Sequence, residues 1–186
     1  MAADAQFLAT TPKRRLGQRL GALWRRSSVP ERLLIVPVDS WPGDPARGRL
    51  LLDGTVVLSG VAVPLDRLRQ PDRADDLERC ARLHGFSWLR DLRDLGGDSA
   101  RRQARRLVEA WMTDPPPRSS VAWRGDVVGR RLAIWLGLYE FFCASADDAF
   151  RTGFLTSVAD QARRLERIAR RLPEGGRRLA ALKGLL

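Results

Sequence analysis

The sequence predicts a mainly helical fold with a small β-hairpin region near the N-terminus. Three observations carry that expectation. From about residue 75 onward, apolar side chains recur at helical spacing in one segment after another. Between Leu50 and Leu65 the pattern shortens to strand-like runs, LLLDGTVVLSGVAVPL, punctuated by Asp53-Gly54 and Ser59-Gly60. The stretch Trp123 to Phe142, WRGDVVGRRLAIWLGLYEFF, is apolar around most of its circumference, which reads as an inner helix covered on more than one side.

Composition sets the frame. A chain of 186 residues suits one domain or one large piece of a bigger one. Hydrophobic residues make up 44% and charged residues 30%, ordinary values for a folded protein. The formal net charge is +11 and is carried almost wholly by arginine, Lys13 and Lys183 being the only lysines. Such a field favours polyanions such as nucleic acid, acidic lipid or acidic polysaccharide. It equally fits a GC-rich genome that encodes arginine wherever a surface cation is tolerated. Cys80 and Cys143 lack metal-ligand spacing and read as buried thiols. No apolar run is long enough to cross a bilayer, and no apolar segment of a secretory signal follows the basic N-terminus, which favours a cytoplasmic start.

Taken in order, residues 1–32 read as a basic N-terminal helix. Leu16, Leu20, Leu23 and Trp24 form its stripe, and Pro30 breaks the pattern. Residues 33–70 read as a short strand and hairpin region. Within it, Leu33 to Pro37 is an apolar run, Trp41 to Pro45 is turn chemistry, and two or three strands follow, with Asp53-Gly54 as the main hairpin signal. Residues 71–186 read as the helical part, opening after a polar linker that holds Pro71. One helix spans Asp75 to Leu83, and a short one spans Phe86 to Leu95 and ends at Gly96-Gly97. Next, Ala104, Leu107, Val108 and Trp111 stripe a helix that Pro115-Pro116-Pro117 stops. Asp126 reads as the N-cap of the central helix. The most regular helix runs from Phe154 to Leu172, with Arg163, Arg164, Arg167, Arg170 and Arg171 opposite its stripe. A last apolar-striped helix begins at Arg177.

Chemistry is sparse. The chain has no phosphate-binding glycine loop, no dinucleotide fingerprint and no nucleophile elbow, and one histidine cannot build a metal cluster, so no cofactor is expected. His84 and Tyr139 could move protons, but read more simply as a helix-closing histidine and a core tyrosine. Trp88, Trp111, Trp123 and Trp135 could stack on sugars or bases, with core packing the simpler use for Trp111 and Trp135. The arginine ladder reads as a solvated face that would also suit a phosphate backbone.

Three blocks in order carry a resemblance: PGDPARGRLLLDGTVVLSG (Pro42 to Gly60), HGFSWLRDLRDLGGDSARRQARRLVEAWM (His84 to Met112) and WRGDVVGRRLAIWL (Trp123 to Leu136). Together they resemble the N-terminal region of bacterial heparinase II/III-like proteins, from near Leu33 to near the end. The resemblance implies antiparallel helical hairpins of an incomplete (α/α) toroid. It also implies a polysaccharide lyase acting by β-elimination on acidic, uronate-containing chains, inactive as this fragment because its catalytic residues lie further on. The sequence has no asparagine, and no catalytic residue is assigned. Trp88, Trp123, Arg124, Arg130 and Arg131 are the candidates for lining a substrate cleft. Acidic polysaccharide is then the expected partner, a periplasmic location becomes compatible, and an uncovered helical flank would favour self-association. The alternative is a non-catalytic helical module binding nucleic acid or another polyanion through its arginine-rich face. A third reading lays residues 13–26 on a membrane surface.

Overall fold

A computed structural model describes residues 30–70 and 76–170, together with Gly176 and Gly184. The basic N-terminal helix and nearly all of the last striped helix lie outside the described residues. The described part is mainly helical with one two-stranded antiparallel sheet, as expected. A toroidal arrangement is not shown. No described helix is long and apolar enough to cross a membrane.

Helix α1 spans Pro45–Leu52 and corrects the strand reading of Leu50 to Leu52. Its start is written locally. Asp44 accepts from the Ala46 and Arg47 N–H groups, and Pro45 stands at the first helical position, where its missing N–H costs nothing. Asp53-Gly54 therefore closes this helix instead of turning a hairpin, with Gly54 at φ 85°. Strands β1 (Thr55–Leu58) and β2 (Val61–Pro64) pair with Leu58 opposite Val61. The two-residue turn is thus Ser59-Gly60, both at positive φ, as the right-handed strand twist requires.

Helices α2 (Leu77–His84) and α3 (Leu89–Leu95) are joined by a tight turn in which Phe86 also has positive φ. Helix α4 (Gly97–Thr113) starts earlier than its stripe suggests, directly after the positive-φ Gly96 and with Gly97 itself at positive φ. The long apolar stretch is not one helix. It is a 3₁₀ turn (Val121–Trp123), helix α5 (Gly125–Gly137) and a single-turn helix α6 (Tyr139–Phe142). Asp126 is not the N-cap: Arg124 occupies that position, and Asp126 lies in the first turn. The break after Gly137 has a visible cause. The Gly137 carbonyl accepts from the Asp39 N–H, and a side chain at Gly137 would meet the Asp39 Cβ at 2.8 Å. Helix α7 (Asp148–Ala169) is capped by Asp147, whose carboxylate accepts from the Phe150 N–H at 2.7 Å.

The core runs through α5, with Leu132, Trp135 and Val128 fully buried between α2, α4 and α7. Cys80 and Cys143 are free and buried, and burial pushes the Cys143 thiol up to about 12.

Candidate interaction site

The most unusual group in the core is Arg131, a side chain of α5 with no exposure. Its Nε donates to Gln161 Oε1 at 2.7 Å, and its Nη1 donates to the carbonyls of His84 and Ala122 at 2.9 and 3.1 Å. The guanidinium lies 4.0 Å over the ring of Trp111, with Trp123 and Trp135 at 5.6 and 5.9 Å. No carboxylate joins this group among the described residues, and Nη2 has no partner. Burial pushes Arg131 down to about 9. One side chain thereby ties the C-terminal end of α2, the 3₁₀ turn and α7 to α5. The ring faces and carbonyl oxygens offset part of its desolvation.

Around it the aromatic side chains form a connected cluster. Phe86 stacks on Trp88 at 4.9 Å, and Trp111 meets Trp123 and Trp135 at 5.4 Å each. Three indole N–H groups find partners. Trp88 donates to the Leu83 carbonyl, Trp123 donates to the Pro116 carbonyl, and Trp111 donates to His84 Nδ1 at 3.4 Å. His84 and Tyr139 thus take structural places, His84 buried and Tyr139 half-buried against Phe154 at 5.9 Å between rings.

Trp123 also reaches the surface of the molecule. Between the end of α4, the Pro115–Ser120 loop and the first half of α7 lies an open cleft of about 730 Å³. Trp111, Met112, Trp123 and Phe150 give it an apolar floor, and Thr152, Thr156, Ser157 and Gln161 give it hydrogen-bonding walls. Arg118, Glu109, Asp147 and Asp160 also line it. Arg118 sits 4.1 Å from the Trp123 ring centroid, and Arg164, outside the cleft lining, sits 5.2 Å from the same ring. Burial and the charges of Arg118 and Arg167 hold Arg164 below its usual range.

The five side chains expected to line a substrate cleft are not gathered on one surface. Trp88 and Arg131 face the interior. Trp123 is 6% exposed and lines the α4–α7 cleft. Arg124 pairs with Asp126 at 2.7 Å and with Glu78 at 3.0 Å, which raises its proton affinity. Arg130 opens instead on a separate groove of about 410 Å³ that it shares with Trp41, Glu78, Arg82 and Arg90. Sequence reasoning missed Arg118, in a proline-rich loop with no periodicity. It also placed Arg164 on a solvated face, because only the fold brings Trp123 beneath it.

No described group of three or more His, Cys, Asp or Glu side chains converges as metal ligands would. A second surface feature is the extended segment before α1, where Leu34, Ile35, Val38 and Trp41 are 87%, 82%, 86% and 64% exposed.

No protein-family model matches the chain, and no solved structure matches it significantly. The chain is 35% identical over 158 residues to "FtsZ-localized protein C" of Caulobacter vibrioides (strain NA1000 / CB15N). That alignment covers 84% of this chain and 27% of the relative, so the chain spans about a quarter of the relative's length. The match overturns the heparinase II/III-like resemblance, and with it the polysaccharide-lyase reading and its acidic polysaccharide. The alternative of a nucleic-acid or polyanion module gains no support either. The physical reason lies in the three blocks themselves. Their distinctive residues, Trp88, Trp111, Arg131 and Trp135, hold the core together, and a shared way of packing does not carry a shared chemistry. Over most of its described length, the chain is similar to a protein named for its localisation with FtsZ.

Proposed function

We propose that this chain is a protein-interaction region of a cell-division-associated protein and that its partner is a protein of the FtsZ assembly. The observation that carries this reading is the 35% identity over 158 residues to FtsZ-localized protein C. The geometry is compatible with it. The described surface offers an apolar ribbon (Leu34, Ile35, Val38) and a mixed cleft at Trp123, features that protein partners use. In this reading the chain works in the cytoplasm.

A co-localisation experiment tests it directly. A fluorescent fusion of this chain, expressed in its own host at native level, is expected to follow labelled FtsZ through the division cycle. The purified protein is expected to be retained by immobilised FtsZ or by FtsZ together with its associated proteins. A diffuse fusion, combined with no retention by either, sinks the reading.

A further inference from the structure

The groove beside Trp41 lies between α2, α5 and the extended segment before α1, and its volume is about 410 Å³. Arg82 of α2, Arg90 of α3 and Arg130 of α5 line it, and Glu78 is the one carboxylate among its described lining residues. Two of these four groups are already engaged. Arg90 gives Nε and Nη2 to the Asp39 carboxylate, and Glu78 meets Arg124 at 3.0 Å. Arg82 and Arg130 make no hydrogen bond or ion pair with a described residue, although the Arg130 charge helps to hold the Asp126 carboxyl down. Asp126 is itself taken by Arg124 at 2.7 Å. The Arg130 stem passes the same end of α2 that carries Arg82, since a Cβ on Gly85 would stand 2.9 Å from the Arg130 Cδ. The groove therefore keeps an uncompensated positive charge. A carboxylate is the protein group that answers it, because a guanidinium gives a carboxylate two parallel N–H donors.

The other wall is apolar and its backbone is pinned. The Trp41 N–H donates to Asp39 Oδ1 at 3.1 Å, and the Trp41 carbonyl accepts from Arg93 Nη2 at 2.6 Å. The indole is nevertheless 64% exposed, and Ala133 and Ile134 of α5 extend the wall. Tryptophan and arginine carry much of the binding energy in protein interfaces, and a backbone fixed beforehand lowers the ordering cost of using them. We propose that this groove binds an acidic segment of a partner protein, its carboxylates meeting Arg82 and Arg130 and a neighbouring apolar side chain lying against Trp41 and Ala133. The proposal deepens the protein-partner reading and rests on it for the choice of a protein segment.

Nuclear magnetic resonance of the isolated protein tests it through the Trp41 indole N–H. Three probes suffice: acetyl-aspartyl-glutamyl-leucine amide, its neutral asparaginyl-glutaminyl counterpart, and inorganic phosphate. The acidic peptide is expected to shift the Trp41 signal saturably, with a Kd of about 1 mM, and the neutral peptide is not. Arg82→Gln is expected to weaken binding about threefold, and Arg82→Gln with Arg130→Gln about tenfold. Arg106→Gln removes an exposed cation of α4 outside the groove and is expected to leave binding unchanged, which separates the groove from the general pull of a basic chain. Should the double variant unfold, Arg82→Gln alone, at an exposed position, carries the same expected direction. The proposal is overturned if the acidic peptide leaves Trp41 unmoved, if the neutral peptide binds as tightly, or if phosphate alone binds. It is equally overturned if Arg82→Gln binds as the parent does, or if Arg106→Gln loses as much as Arg82→Gln. These peptides require no FtsZ, so a failure here is separate from a failure of co-localisation.

Discussion

At the scale of single residues, Arg131 is the group on which most depends. Its N–H groups serve buried oxygens of Gln161, His84 and Ala122. Arg131→Met would keep much of the volume but strip three buried oxygens of this donor. It is expected to destabilise the fold by about 3 kcal/mol, read from denaturant unfolding. Arg131→Lys should rescue little, because one ammonium cannot bridge acceptors on α2, the 3₁₀ turn and α7 at once. An unchanged midpoint in both variants would show that the tie is not needed. The sequence marks Arg131 only as a charge on an apolar helix. Its burial follows from groups 9, 30 and 47 residues away, which no local pattern contains.

At the scale of elements, the extended segment before α1 is latched to α3. The Asp39 carboxylate accepts from Arg90 Nε and Nη2 at 2.9 and 2.7 Å, and Arg93 donates to the backbone carbonyls of Asp39 and Trp41. Burial alone would raise the Asp39 carboxyl, but Arg90, the Trp41 N–H and Arg93 together hold it below its usual range. A carboxyl depressed in the folded state stabilises fully above its unfolded value of about 4, and that contribution fades as pH falls through the lower folded value. Asp39→Asn is therefore expected to cost about 1–3 kcal/mol at pH 7. Its thermal midpoint should also fall less than the parent's between pH 7 and pH 3, because the parent alone has that contribution to lose. Parallel loss in both proteins would contradict the latch. Beside it, α1 and α3 approach so closely that a Cβ on Gly48 would stand 2.4 Å from the Asp91 carbonyl oxygen. Gly48→Ala should push the helices apart and cost about 2 kcal/mol, despite the better helix propensity of alanine. A stabilised variant would mean that the two helices can part freely.

At the scale of the whole molecule, a folded core coexists with an uncovered apolar ribbon. Ile35 and Val38 are 82% and 86% exposed, so Ile35→Ser with Val38→Ser should move the unfolding free energy by no more than about 0.5 kcal/mol. If the ribbon serves the proposed protein partner, the same double variant should reduce retention by that partner while the fold is intact. A large loss of stability would instead place the ribbon in the core.

The sequence by itself determined the helical class, the Ser59-Gly60 turn, the stripes of α4 and α7 and the burial of both cysteines. These rest on periodicity and turn chemistry, which are local and act within a few residues. The start of α1 was equally local, since Asp44-Pro45 is a helix-opening pair, yet the leucine run after it reads as a strand until the helix is seen lying on α3. Tertiary structure alone decided the break after Gly137, the burial of Arg131 and the meeting of Arg118 and Arg164 at Trp123. A guanidinium takes whatever acceptor, ring or ligand the fold brings within a few ångströms, and that neighbour is set by packing between distant segments. For the same reason, a sequence rich in arginine does not disclose from its charge count which arginines hold the fold and which are left for a partner.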